Sequence, residues 1–279
     1  MWKDEKLTSL LKIVREAGAE ILSIYSRVDD YKVAYKDDNS PITEADRRAN
    51  SLITRALSQL SYGLPILSEE SEKIPFCERQ AWRDYWLVDP LDGTREFIKR
   101  NGEFTVNVGL IRNGLPEVGV VHVPVSGVTY LGKRGAGAWR VELDDSVKEI
   151  KASRLNPSYE RVRIAASRSH KNDSLENLIQ NISVKFQDTE VVSMGSSLKI
   201  CLLAEGEADL YPRLSPTSEW DTGAAHAVLL ASGGEIFDKT FQPLKYNQKE
   251  ELLNPHFYAV ADKNFKWEKL LRSLSLIHI

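Results

Sequence analysis

The chain has 279 residues, 42% hydrophobic and 28% charged, with a net charge of −3. This is the composition of a globular protein, long enough for one large domain or two that share an interface. An acidic balance argues against general nucleic-acid binding, which needs a basic footprint, but leaves room for a local basic pocket around a small anion. The two cysteines, Cys77 and Cys201, lie far apart and in no metal-ligand spacing, so reduced thiols are expected rather than a disulfide or a zinc site. No stretch reaches the roughly 18 apolar residues of a membrane span. The start of the chain, MWKDEKLTSLLKIVREAG, is charged and amphipathic and has no apolar core of signal-peptide length. A cytoplasmic protein without an integral membrane segment is therefore expected.

Leu7, Leu11, Val14, Ala17, Ile21 and Tyr25 step by threes and fours and predict a long first helix. KDDNSP at 36–41 reads as a loop. Thr43 is placed to cap a second helix whose inner side is Ala45, Ala49, Leu52, Ile53, Leu57 and Leu60. Leu64–Leu67 and Tyr85–Val88 read as strands, the second stopped by Pro90. Phe104–Ile111, Val118–Val123, Val128–Leu131 and Ala138–Leu143 are β-rich runs broken by Asn113-Gly114, Ser126-Gly127 and further glycines, which predicts an antiparallel meander. The polar stretch 144–160 marks a boundary between an N-terminal α+β domain, 1–152, and a C-terminal domain, 153–279. In the second, strands at 162–166, 190–192, 209–211 and 257–261 alternate with helices at 171–181, 197–205 and 222–231 and a last one near the end, an α/β pattern. Gly233-Gly234 closes the helix over 222–231.

The most informative segment is WLVDPLDGTREF, 86–97. A strand delivers Asp89, and Asp92 follows three residues later at a corner, just before Gly93-Thr94 open a helix. Hard divalent cations want oxygen ligands, and the Leu91 carbonyl between the two acids could add one. The Gly93 and Thr94 N–H groups would face an anion from a helix N-terminus, so a cation site and a phosphate site would adjoin, as metal-assisted phosphoryl transfer requires. The plainer alternative is an Asp-Gly turn with Asp92 as helix cap. Other acids stand in similar places. Glu69 and Glu70 end an apolar run and read equally as a solvated loop. Asp46 fits a capping box with Thr43. Asp221, in EWDTG, fits a helix N-cap. Taken together, acids stand four times at a strand end or helix start, where binding residues gather on α/β scaffolds.

LSEES at 67–71, VDPLDGT at 88–94 and WDTGAAHAVLLASGG at 220–234 resemble, in order and spacing, the motifs of the inositol monophosphatase family of lithium-sensitive, Mg²⁺-dependent phosphatases. DGTREFIKRNGEFTVNVGLI at 92–111, ASRSH at 166–170 and GSSLKICLLAEGEADLYPRL at 195–214 look like the family's bacterial 3′(2′),5′-bisphosphate nucleotidase branch. The resemblance implies a layered αβαβα sandwich with an antiparallel N-terminal sheet and a mixed C-terminal sheet. It implies two or three Mg²⁺ ions on the side chains of Glu69, Asp89, Asp92 and Asp221 and the carbonyl of Leu91. Asp46 and Thr94, with Glu69, would be catalytic, the first two orienting the attacking water. Gly93 and Thr94 would hold the scissile phosphate beside Glu69, Leu91, Asp92 and Asp221, while Ser167, His170, Gly195 and Lys199 would face the nucleotide.

Arg168 and Arg213 are further cations available to a second phosphate. Arg95, Lys99 and Arg100 fit either added attraction or a solvated helix face. His122, His226, His256 and His278 read as structural or surface residues. The implied reaction is hydrolysis of adenosine 3′,5′-bisphosphate (PAP) to AMP and phosphate in sulfate assimilation, extending to conversion of 3′-phosphoadenylyl sulfate (PAPS) to adenylyl sulfate. The competing readings are an inositol-1-phosphate or fructose-1,6-bisphosphate phosphatase and a non-catalytic nucleotide sensor. A monomer or homodimer in the cytoplasm is expected, with peripheral attachment at the inner membrane left open.

Overall fold

The computed structural model describes residues 4–27, 34–35, 41–60, 63–156, 158–167 and 173–275. Helix α1 (Glu5–Tyr25) is capped by Asp4, whose carboxylate accepts from the N–H groups of Lys6 and Leu7. The two-residue strands β1 (Ala34–Tyr35) and β2 (Pro41–Ile42) pair antiparallel before α2 (Glu44–Gln59). Pro41, expected in a loop, is thus in a strand, and 36–40 lie outside the described residues. The Thr43 capping box of α2 is present in full.

Seven strands follow in one sheet, in the order of the chain: β3 (Ile66–Ser68), β4 (Asp84–Asp92), β5 (Thr105–Arg112), β6 (Leu115–His122), β7 (Thr129–Lys133), β8 (Gly137–Val141) and β9 (Val147–Ile150). Only β3 runs parallel to its neighbour. Two short helices interrupt the run, α3 (Phe76–Arg79) and α4 (Thr94–Ile98). The remaining elements are β10 (Arg161–Ala166), α5 (Asp173–Ser183), β11 (Asp188–Ser193), α6 (Leu198–Ala204), β12 (Leu210–Arg213), α7 (Trp220–Ser232), β13 (Glu235–Asp238), β14 (Phe257–Val260) and α8 (Trp267–Ser275). Their five strands form a second, mixed sheet in the order β11-β10-β12-β14-β13.

Side chains alternate across both sheets and separate three cores. Trp86, Val88, Val106, Val108 and Val120 pack on α1 and α2; Tyr85, Leu87 and Val121 face α6 and α7. Those two helices meet Ala165, Tyr211 and Ala259 of the second sheet. The outer face of that sheet, with Val162, Ile164 and Leu210, is covered by Ile182 of α5 and Leu270 and Leu271 of α8. The result is the expected αβαβα sandwich.

Helix α7 is the central slab, and glycines set its distance from the first sheet. Gly109, Gly119 and Gly132 are direct neighbours across β5, β6 and β7. A Cβ on Gly119 would stand 2.0 Å from the Ala224 carbonyl, and one on Gly132 2.4 Å from the Val228 Cα. Backbone therefore rests on backbone, which only glycine allows.

Several expectations are corrected. Strand β4 does not stop at Pro90. It runs through to Asp92 because the register with β5 shifts between Asp89 and Asp92, and a proline without an N–H is tolerated inside such a bulge. The polar stretch 144–160 contains the edge strand β9, and 235–238 forms β13. Both have too few apolar residues to stand out by periodicity.

Replacing Gly119 by valine should lower the unfolding free energy by about 3 kcal/mol or more, read from urea denaturation, since α7 must move away from the sheet. An unchanged midpoint would show that the close approach is not required.

Candidate active site

The bulge in β4 decides where its two acids point. On a regular strand, residues three apart face opposite sides. Between Asp89, opposite Asn107, and Asp92, opposite Thr105, two residues of β4 face one of β5, which adds a residue and turns both carboxylates to the side of α6 and α7. Asp89 fixes the corner by accepting the Leu91 N–H at 3.0 Å. Asp92 accepts the Ser197 N–H at 2.5 Å at the start of α6. The Ser197 hydroxyl is itself held by Thr105 at 2.8 Å and Asn107 at 2.9 Å.

Glu69 follows β3, and its own N–H donates to the Val88 carbonyl. Asn50 of α2 accepts from the Ser68 hydroxyl at 2.7 Å and donates to the Glu70 carbonyl, so this turn is tied to the helix that carries Asp46. Asp221 comes from the first turn of α7. It is not the N-cap: Glu219 holds that position and offers no capping bond, while Asp221 Oδ2 accepts the Ser218 N–H at 2.9 Å. Nor does Asp92 cap α4, which begins after Gly93, a residue with φ of 95°. Carboxylate oxygens of Glu69, Asp89 and Asp221 lie within 4.8 Å of one another.

Asp46 fills the capping box and also reaches Thr94. Its Oδ2 accepts from the Thr43 N–H at 2.7 Å and hydroxyl at 2.6 Å, and its Oδ1 faces the Thr94 hydroxyl at 3.3 Å. Thr94 Oγ1 also lies 3.5 Å from the Leu91 carbonyl.

An open cavity adjoins these acids and also carries cations. Glu69, Asp92, Gly93, Thr94 and Asp221 line it together with Ser167, Gly195, Lys199, Tyr211 and Arg213. Lys199 is 4% exposed, donates to the Ser196 carbonyl at 2.6 Å, and lies over the Tyr211 ring. Arg213 donates to the carbonyls of Ser215 and Pro216, which shapes the loop before Asp221. The Gly195 N–H donates to Glu103 at 2.8 Å. Arg95 borders the cavity from an exposed position, and Lys99 and Arg100 are exposed, Arg100 stacking on Tyr25. His170, Arg168 and His278 lie outside the described residues. His122 and His226 are buried and bonded to Thr129 and to Tyr246 with Glu235, as structural histidines should be. The residues missed from sequence are the supports: Glu103, Thr105, Asn107 and Ser197 lie inside the segments 92–111 and 195–214 but have no role assigned to them there, and Asn50 lies in no motif.

The acids are electrostatically frustrated. Burial, and then the neighbouring carboxylates Glu69, Asp92 and Asp221, push the Asp89 carboxyl well above its usual range. Burial and the charges of Asp92 and Glu69 do the same to Asp221. Burial takes Asp92 up to about 6 against the pull of Lys199, and raises Asp46. The Lys199 ammonium is pushed down to about 8, mainly by burial. An all-oxygen donor set that burial and mutual repulsion keep from ionising together fits a hard divalent cation.

The chain matches the model of the inositol monophosphatase family over residues 2–272 and belongs to that family. It is 44% identical to the 3′(2′),5′-bisphosphate nucleotidase CysQ of Salmonella typhimurium over 252 residues, 90% of this chain and 98% of that one; the CysQ of Escherichia coli K12 matches at the same identity and coverage. The crystal structure of CysQ from Bacteroides thetaiotaomicron superposes with a TM-score of 0.82 at 39% identity, covering 94% of this chain and 99% of that one. A Thermotoga maritima IMPase, 20% identical, shares the fold with a TM-score of 0.77. No helix among the described residues is long and apolar enough to cross a membrane.

The shifted carboxyls predict how the metal-free protein responds to pH. Their folded-state pKa values lie above the unfolded ones, so the folded state binds more protons, and stability is lost as pH rises from about 4 through 6 and beyond. In chelator, Tm should fall by several degrees between pH 5 and pH 8, and saturating Mg²⁺ should remove most of that fall. A flat profile in chelator would mean that the carboxylates are not in conflict.

Proposed function

We propose that the chain is a Mg²⁺-dependent 3′(2′),5′-bisphosphate nucleotidase that converts PAP to AMP and phosphate. The observation that carries this reading is one cavity lined both by acids of the carboxylate cluster, Glu69, Asp92 and Asp221, and by two cations, the buried Lys199 and Arg213, which suits a substrate with two phosphates. The likeness to CysQ nucleotidases over nearly the whole of both chains supports it.

In this reading Glu69, Asp89, Asp92 and Asp221, with the Leu91 carbonyl, hold two or three Mg²⁺ ions. When bound, the ions supply Lewis acidity that acidifies the attacking water and balances charge on the leaving 3′-oxygen. Thr94 and Asp46 align that water. The Thr94 hydroxyl donates to Asp46 Oδ1, so its oxygen is left to accept a hydrogen bond from the nucleophile. Asp46 keeps its orientation because both Thr43 groups hold its other oxygen. Gly93 and Thr94 border the scissile phosphate. Lys199 is a point charge for the second phosphate, and Arg213, Ser167 and Gly195 complete that wall, with His170 assigned to the nucleotide side from the resemblance and Arg168 from its charge alone.

PAPS, which shares the 3′-phosphate, is proposed as a further substrate of the same site. The setting proposed is sulfate assimilation in the cytoplasm, with the protein acting as a monomer or homodimer.

Phosphate release from PAP, inositol 1-phosphate and fructose 1,6-bisphosphate in Mg²⁺, with and without lithium, tests the assignment. PAP should be hydrolysed with the highest kcat/KM and lithium should inhibit. Preference for either sugar phosphate, or binding without turnover, would overturn it. Asp92→Asn should lose about 10²-fold or more in kcat while staying folded by circular dichroism. Lys199→Ala should raise KM for PAP about tenfold or more, and far less for a simple phosphate monoester. Equal effects on both would put Lys199 away from the second phosphate.

A further inference from the structure

Asp221 owes its position to contacts made from behind the cavity. Residues 217–222 lead into α7, and the segment 246–254, between β13 and β14, lies along them. Ser218 and Leu253 form an isolated antiparallel bridge. Around it the Glu219 N–H donates to the Leu252 carbonyl at 2.8 Å and the Asn254 N–H to the Thr217 carbonyl at 2.8 Å.

The Asn254 side chain, 8% exposed, closes the join. Its Nδ2 lies 2.7 Å from the Ser218 carbonyl, 3.1 Å from Thr222 Oγ1 and 3.2 Å from Thr217 Oγ1. A carbonyl can only accept, so the nitrogen must face Ser218 and the amide orientation is fixed. Asn254 Oδ1, by contrast, is buried with no hydrogen-bond partner among the described residues. An orphaned buried acceptor is costly, and an apolar side chain would avoid it. The donor half must therefore be what the position requires. Its strongest bond is to Ser218, the residue whose N–H holds Asp221 Oδ2.

We propose that Asn254 is a positioning residue for Asp221, acting through Ser218 and Thr222 to hold the carboxylate toward Glu69 and Asp89. This rests on the reading of those acids as a metal site. Asn254 does not line the cavity. Its effect belongs to metal affinity and not to substrate binding, because a ligating carboxylate is oriented by the hydrogen bond on its other oxygen. Without the amide the main-chain bonds to Leu252 and Thr217 remain, so the segment keeps its path, while the Ser218 carbonyl loses its shorter bond and keeps the Asp221 N–H at 3.2 Å.

Mn²⁺ binding to the full chain, followed by electron paramagnetic resonance, tests this with Asn254→Asp, which is isosteric but sets an acceptor against the Ser218 carbonyl, and with Asn254→Ala. Tm in chelator is measured alongside. The expected result is Mn²⁺ affinity weaker by about tenfold or more in both variants, with KM for PAP unchanged at saturating metal and most of kcat recovered there. A lowered Tm with wild-type Mn²⁺ affinity would make Asn254 structural only and overturn the proposal. Should the aspartate variant fail to fold, the alanine variant carries the same two outcomes. Wild-type protein that binds no Mn²⁺ would sink the metal reading itself, whereas equal binding by wild type and variants sinks only the role of Asn254.

Discussion

Helix α7 rests backbone to backbone on Gly109, Gly119 and Gly132, and the distance this sets determines where Asp221 stands. An ordinary helix on a sheet keeps a layer of side chains between them. Here Ala224, Ala227 and Val228 descend into a trough of three glycines, and the first turn of α7 arrives level with the ends of β3 and β4. Glu69 follows β3, Asp89 lies in β4 and Asp221 in a helix more than a hundred residues later, yet their carboxylates meet within 4.8 Å. The close packing also places Gly223 against Leu87, so the sheet and the helix share one core directly beneath the acids.

What the fold assembles there is unfavourable by itself. Buried carboxylates repel one another and lose hydration, and N–H groups of Leu91, Ser197 and Ser218 offset part of this. The apolar cores on both sides of the first sheet supply the stability that tolerates the conflict, a common arrangement where function needs strained chemistry. The bulge in β4 concentrates the conflict further by turning Asp92 to the same side as Asp89. Lys199 offsets part of it: pushed down to about 8 mainly by burial, it sits where its charge lowers the Asp92 pKa.

Much of this could be read before any coordinates. The 3.6-residue period of α1, the Thr43 box of α2 and the Gly233 stop of α7 are local signals, and the structure carries all three. Pro90 misled because its local meaning, a strand stop, yields to a bulge that depends on the partner strand β5. The strands β9 and β13 were silent because each is an edge of four residues with little to bury. The acids were visible as residues at element ends, but most of them had a sufficient local explanation as a cap, turn or loop residue. Their convergence is a matter of long-range packing, to which their shared placement at element ends and then the resemblance of the motifs pointed. Asn254 had no signal at all, and Asn107 and Ser197 lay inside recognisable segments without a role of their own, since a buried amide or hydroxyl looks like any loop polar residue until its partners are known.

The central claim is that α7 on its glycine trough and the bulged β4 together build one divalent-cation site. Anomalous diffraction from crystals soaked in Mn²⁺ tests it most directly. The account predicts density bounded by Glu69, Asp89, Asp92, Asp221 and the Leu91 carbonyl, with oxygens roughly 2.0–2.3 Å away. Ordered Mn²⁺ elsewhere in a catalytically active protein, with these carboxylates left without metal, would contradict it.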